Sequence, residues 1–316
     1  MSSDRYRAQV NAALGAVAVR PPDAFLWFGW RMPAVVSLVE AIGQRLHADF
    51  YGDGEPRAQR RGPVTAGVDG GSFVWALSQA NCGRGAWHAG WRVAAADGDT
   101  ITVVRPDDGL ALLAPAQDCR IEATQAQVRV PKDLMGFSPG LYVALADTPW
   151  PPGPPDELVA LCWSITAFGA VTLVKRLTFA LNRAELAFRI ELLGNPARYE
   201  RGAGATLLLA RADFAAAAKL LRPLLRALGP YLADAAPAFT KPLARGLAVA
   251  EEPANGLRFG EHRCLLLAEA IVAAGELGLH GTEQRLAAVD EHFRAAGLTL
   301  DAPYLQPGAD DAYELS

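Results

Sequence analysis

Two residues of this chain have the types and spacing for proton transfer. Lys241 lies in Phe239-Thr240-Lys241-Pro242-Leu243, and His262 follows twenty-one positions later in Gly260-Glu261-His262-Arg263-Cys264. Only four of the thirty basic side chains are lysines, so a lysine in an apolar, proline-locked turn stands out. Apolar neighbours and nearby arginines both disfavour an ammonium and lower its pKa from about 10.4. A lysine tuned this way acts as a general base at neutral pH, and His262 supplies the matching acid. Read from the residues alone, the alternatives are a lysine snorkelling beside a structural turn and a capping or half-buried histidine.

The elements that must position them are legible in outline. The first fifty residues read as helical: Val35, Val36, Leu38, Val39, Ile42 and Leu46 recur at helix spacing, and Pro33 is placed to start that helix. From Ser72 to about Ala146 the pattern changes to short strand-like runs, beginning with Ser72–Leu77 and separated by turns such as Asp97-Gly98-Asp99 and Asp107-Asp108-Gly109. Pro149-Trp150-Pro151-Pro152-Gly153-Pro154-Pro155 excludes helix and inner strand and serves as a rigid connector. It divides a helical and β-rich part, residues 1–148, from an α+β part, residues 156–316, the two packed as one compact unit. Beyond it come a strand over 158–165, a helix over 170–181, strands over 187–193 and 205–209, a helix over 213–228, a short strand over 247–249, and helices over 261–274 and 283–296 that end at Gly275 and Gly297. This order predicts an α+β fold with mostly antiparallel sheets and flanking helices.

Composition narrows the function. With 316 residues, 51% hydrophobic, the chain can bury a substantial core. A net charge of -4 without a like-charge block leaves no footprint for nucleic acid or an anionic membrane. Cys82, Cys119, Cys162 and Cys264 are widely spaced and form no CxxC pair, so metal and thioredoxin-type readings are weak and reduced thiols are expected. The amino terminus lacks the order of a signal peptide, and Ala24–Leu38 is too short and polar to span a bilayer, so a cytoplasmic protein is expected. No P-loop, kinase lysine–aspartate set or G-x-S-x-G elbow is present.

Several segments, taken in order, resemble the HopA-type effector family: Phe50-Tyr51-Gly52-Asp53-Gly54, Asn81-Cys82-Gly83-Arg84-Gly85 running into Gly90-Trp91-Arg92-Val93, Ser138-Pro139-Gly140-Leu141-Tyr142-Val143-Ala144, Asn195-Pro196-Ala197-Arg198-Tyr199, Phe239-Thr240-Lys241-Pro242 and Phe259-Gly260-Glu261-His262-Arg263-Cys264. The likeness runs from about residue 40 to Tyr304-Leu305. That family includes type III effectors of plant pathogens and enzymes of peptide natural-product clusters that accompany a small kinase. The resemblance implies a fold related to bacterial phosphothreonine lyases. It also implies a phosphoserine/phosphothreonine lyase that makes dehydroalanine or dehydrobutyrine in thioamitides and class V lanthipeptides.

Such an elimination needs a base for the Cα proton, an acid for the departing phosphate, and cationic donors to hold it; no metal or organic cofactor is required. Lys241 is the base and His262 the acid, with His88 in Ala86-Trp87-His88-Ala89 the rival acid. A phosphate dianion at the start of the His262 helix would raise the imidazole's pKa. Arg198 and Arg201 around Tyr199, Arg263 beside His262, and Arg84 between two glycines are the phosphate candidates, because a planar guanidinium binds two oxygens and stays charged. Trp87, Trp91 and Trp163 line a peptide groove or belong to the core. The expected partners are a phosphorylated precursor peptide and a kinase. A silent peptide-binding or kinase-scaffolding module and a secreted effector are the alternatives; the lack of a Ser-rich leader before the first helix argues against the effector.

Overall fold

The computed structural model describes residues 2–20, 23–58, 70–106, 111–135, 140–149, 157–199 and 202–315. Helix α1 (Ser2–Ala16) runs into a three-stranded meander of β1 (Val17–Arg20), β2 (Ala24–Trp27) and β3 (Trp30–Pro33), and then into α2 (Leu38–Asp49). The apolar stretch expected to be helical is therefore largely a hairpin. Phe28 and Gly29, both at positive φ, turn the chain between β2 and β3, and Pro33 ends a strand instead of starting a helix. Helix α2 starts at Ser37, whose hydroxyl accepts from the Glu40 N–H while the Glu40 carboxylate accepts from the Ser37 N–H.

Ser72–Leu77, read as a strand, lies inside helix α3 (Gly70–Ala80). A short apolar run fits either period, and here packing against α4 (Ala167–Arg183) and β10 (Leu141–Leu145) selects the helix. A five-stranded antiparallel sheet follows, built from β4 (Ala86–Asp97), β5 (Thr100–Val104), β6 (Ala111–Pro115), β7 (Cys119–Glu122) and β8 (Gln125–Val130) in the order β6-β5-β4-β8-β7. Its own core is small: Trp91, Ile101, Val103, Ala114, Ala126 and Val128. The Asp107-Asp108-Gly109 turn lies outside the described residues.

The seven-stranded sheet dominates the molecule. It consists of β9 (Asp133–Met135), β10, β11 (Leu158–Trp163), β12 (Phe188–Leu193), β13 (Ala205–Ala210), β14 (Lys241–Ala244) and β15 (Leu247–Glu251), in the order β14-β15-β11-β13-β12-β10-β9, every pair antiparallel. Alternation assigns its faces. Leu161, Trp163, Phe188, Ile190, Leu207 and Val249 pack with α4 and α5 (Phe214–Leu228), whereas Ala250 joins a second core with α2, α6 (Phe259–Glu276) and α7 (Thr282–Ala295). The sheet takes β9 and β10 from before the proline-rich segment and the other five strands from after it. Residues 150–156 of that segment are outside the described residues. The fold is α+β, with seven α-helices among the described residues.

Candidate functional site

Lys241 opens β14, an edge strand, where Pro242 costs the ladder little. Its approach is constrained. Phe239 is fully buried at φ 65°, its N–H donates to Gln9 Oε1 at 3.1 Å, and its ring packs edge-on against Phe50 at 5.9 Å. A bulky residue at positive φ costs on the order of 1–3 kcal/mol and persists only where surrounding packing enforces it. Thr240, also buried, donates its hydroxyl to the Pro237 carbonyl at 2.6 Å, and its own carbonyl accepts from the Tyr6 hydroxyl at 3.2 Å. The backbone that delivers Lys241 is thus fixed on both sides.

The lysine side chain is 23% exposed. Its ammonium donates to both oxygens of Asp311, at 2.8 and 2.6 Å, and sits 5.7 Å from the Tyr304 ring centroid. The Tyr304 hydroxyl donates to Asp311 Oδ2 at 2.8 Å, and the Tyr313 N–H to Oδ1 at 3.2 Å. Burial would raise the Asp311 pKa, but hydrogen bonds from Lys241, Tyr304 and the Tyr313 N–H outweigh it and hold the carboxyl below its ordinary range. Burial, and then the Asp311 carboxylate, push the Tyr304 hydroxyl up, so it keeps its proton.

Arg263 links this cluster to the second sequence motif. It is fully buried. Nε donates to the Pro303 carbonyl and Nη2 to the Leu305 carbonyl, each at 2.8 Å, so the guanidinium brackets Tyr304. Nη1 donates to His262 Nδ1 at 2.5 Å. Burial lowers the Arg263 pKa to about 10, with Glu251 the main opposing charge, so the side chain stays cationic at neutral pH. The phosphate contact expected of Arg263 is corrected by this arrangement: its fork is turned inward onto backbone carbonyls that would otherwise be unpaired. Its role is to position Tyr304. Burial first, then the Arg263 charge, depress the His262 pKa to about 4, against the pull of Glu269, so the resting imidazole is neutral. Buried Glu251 completes the framework, accepting from the Tyr313 hydroxyl and the Gln306 N–H, each at 2.6 Å, while its own N–H donates to the Tyr304 carbonyl at 2.8 Å.

The remaining candidates are placed elsewhere. Arg198 is exposed at the end of a 3-10 turn over Pro196–Arg198, and Arg201 lies outside the described residues. The glycine-flanked turn around Arg84 does present backbone N–H groups to an anion, but the anion is Asp147: Oδ1 accepts from the Arg84 and Gly85 N–H groups at 2.6 and 2.9 Å. The Arg84 side chain points to solvent. His88 pairs with Val128 in the five-stranded sheet, its pKa lowered by burial and then by Arg105. Trp163 and Trp91 are core residues, and Trp87 stacks under Arg120 at 3.9 Å.

The Tyr51-Gly52 turn touches three distant parts of the chain. The Ala238 N–H donates to the Tyr51 carbonyl at 2.7 Å, Gly202 at φ 94° abuts the Gly52 backbone, and a Cβ at Gly260 would strike the Tyr51 ring at 2.5 Å. Beside this junction lies a groove of about 490 Å³, lined by Asp53, Arg57, Thr166, Phe168, Tyr199 and Gly202 at the start of α4. Sequence reasoning missed Tyr304, Asp311 and Glu251 as site components; the aromatic-acidic composition of the final segment was the one available signal.

Residues 135–305 match the sequence model of the HopA1 effector protein family. Among solved structures, the fold is similar to that of an effector protein from Pseudomonas syringae pv. tomato strain DC3000, with a TM-score of 0.51 and 13% identity over 96% of this chain and 98% of that one. An effector protein from Pseudomonas syringae pv. syringae strain 61 gives a TM-score of 0.41 at 13% identity, over 85% and 96% of the two chains. No curated protein matches the chain. The family match spans more than half of the sequence, and the chain belongs to the HopA1 effector protein family.

Proposed function

We propose that this protein is a phosphoserine/phosphothreonine lyase acting on a precursor peptide that a partner kinase has phosphorylated. One observation carries the reading: the Lys241 ammonium and the Tyr304 hydroxyl converge on a single carboxylate oxygen, Asp311 Oδ2, at 2.6 and 2.8 Å. A phosphate ester in that place puts its Cα two bonds from the ester oxygen, within reach of Lys241. Lys241, acting as the free amine after its ammonium proton has passed to solvent, takes the Cα proton, the electron pair forms the Cα–Cβ double bond, and the Cβ–O bond breaks to release inorganic phosphate. His262, charged once a dianion binds near it and Arg263 Nη1 releases Nδ1, protonates the leaving group; His88 is the rival for that step. Lys241 and the acid exchange their protons with solvent to reset. Arg198 and Arg201, which flank Tyr199 in the sequence, are proposed as further phosphate ligands; the groove lined by Tyr199 takes the peptide. Incubating pure protein with a phosphorylated peptide and weighing the product tests the reading: loss of phosphoric acid is expected. Unchanged mass with tight binding favours the second reading, a silent peptide-binding module, which the closed Lys241–Asp311 pair supports.

A further inference from the structure

The donors and the acceptor at Lys241 differ in how they are held. Tyr304 is buried and bracketed by Arg263, and Lys241 extends from a strand whose approach is locked by Phe239 and Thr240. Asp311, in contrast, is exposed on a segment that bows over the surface between two fixed ends. At one end, Gln306 is tied to Glu251 by its N–H and by its side-chain amide, the latter at 2.9 Å to the Glu251 carbonyl. At the other, Tyr313 is plugged edge-on against Phe214 at 4.8 Å. Gly308 at φ 75° turns the chain between them. The donor pair is prebuilt; the anion that fills it belongs to a surface bridge.

We propose that Lys241 and Tyr304 form a binding site for the phosphoryl group of a phosphate monoester, and that Asp311 is an internal ligand which occupies it at rest. The substrate class rests on the lyase reading above; the site and its occupancy do not. Lifting residues 307–312 breaks the Asp311 contacts and the bond from Arg211 Nη2 to the Asp310 carbonyl, 3.1 Å long, and leaves the Gln306 and Tyr313 anchors in place. A tethered carboxylate competes at an effective concentration on the order of millimolar, and the apparent affinity for an external anion falls by the fraction of time the site is open.

The test is calorimetric titration of inorganic phosphate into the full chain. Asp311→Asn should bind phosphate on the order of tenfold more tightly than the wild type, and adding Tyr304→Phe to Asp311→Asn should remove that gain. Equal affinities for the wild type and Asp311→Asn, or no phosphate binding by either, would overturn the proposal. If Asp311→Asn does not fold, hydrogen exchange of the wild type decides: saturating phosphate should speed exchange severalfold over residues 308–313, and unchanged exchange overturns the proposal equally. Tighter phosphate binding with no elimination by any variant would instead remove the lyase reading and leave the internal ligand standing. Elimination with no effect of Asp311→Asn on phosphate affinity would do the reverse.

Discussion

The β14 edge of the seven-stranded sheet and the β4 strand of the five-stranded sheet each carry aromatic rings, cations and a sequence motif with a histidine nearby. At β14, Arg263, Glu251, Tyr304, Asp311 and Lys241 form one connected network, buried at Arg263, Glu251 and Tyr304 and opening to the surface at Lys241 and Asp311. At β4, Arg120 lies over Trp87 and Arg105 over Trp91, at 3.9 and 5.5 Å, above a core of six residues. The difference lies in packing depth. Layers on both faces of the large sheet exclude water, so most polar groups there find a fixed partner and acquire a fixed direction. On the thin sheet water serves that purpose, and cations rest on ring faces. Positioned chemistry therefore belongs to the first region, and four substitution experiments separate the two.

The largest effect is expected at Lys241. Lys241→Ala should abolish elimination while barely changing stability, since a partly exposed ion pair contributes about 0–1 kcal/mol. Lys241→Arg should fail to restore turnover, because a guanidinium does not give up its proton near neutral pH. Near-normal turnover of Lys241→Arg would make Lys241 a phosphate contact alone and place the base elsewhere. Next come the two histidines. His262→Ala should slow elimination about a hundredfold to ten-thousandfold, the usual cost of a lost general acid, and His88→Ala should leave it within a few fold. The opposite ranking would move the acid to the five-stranded sheet and undo the contrast between the regions.

What was legible in the sequence follows the same division. The alternation Phe188, Ile190, Leu192 and the helical spacing of Leu173, Val174, Leu177 and Leu181 identified β12 and α4, because one element's own period records which face is buried. Lys241 stood out by its rarity, and the Lys241 and His262 motifs are joined in space through Tyr304. The joint itself was illegible: Lys241 and Asp311 are 70 residues apart, and no local pattern encodes that contact. The inward turn of Arg263 was hidden for a related reason, since its acceptors are main-chain carbonyls that carry no sequence signature. Ser72–Leu77 was misread because its period fits helix and strand alike, and packing against α4 decided it.

Stability should separate the regions as sharply as rate does. Arg263→Ala removes the donors of two buried carbonyls and leaves a void beside Phe259, whose ring lies 4.9 Å from the guanidinium. At about 1–3 kcal/mol for each buried group left unpaired, a loss of about 3 kcal/mol or more is expected in denaturant unfolding. Arg84→Ala, whose side chain is in solvent, should stay within about 0.5 kcal/mol because the Asp147 cradle is made by main-chain N–H groups. Equal effects would mean that Arg263 is not the clamp on Tyr304.

The smallest effect is a pH dependence that also comes from the first region. The unfolded chain protonates His262 near its ordinary 6.5, whereas the folded chain resists until about 4. Between those values the unfolded state binds more protons, so stability falls as pH drops through this window and levels off below it. Allowing for the imidazole's partial exposure, the loss is about 1–2 kcal/mol. Asp311 acts lower: its carboxyl is depressed from 3.8, so its contribution is intact above that value and fades only below it. The two signals are therefore separable in one urea series run from pH 7 to pH 3. His262→Gln should reduce the decline in the upper part of the profile to what His47 and His88, whose pKa values burial also lowers, contribute, while keeping a hydrogen-bonding group for Arg263. Asp311→Asn should leave the upper part unchanged and flatten the lower. If His262→Gln retained the full decline between 6.5 and 4, the depressed group would not be His262, and the Arg263–His262 contact would have to be open in solution.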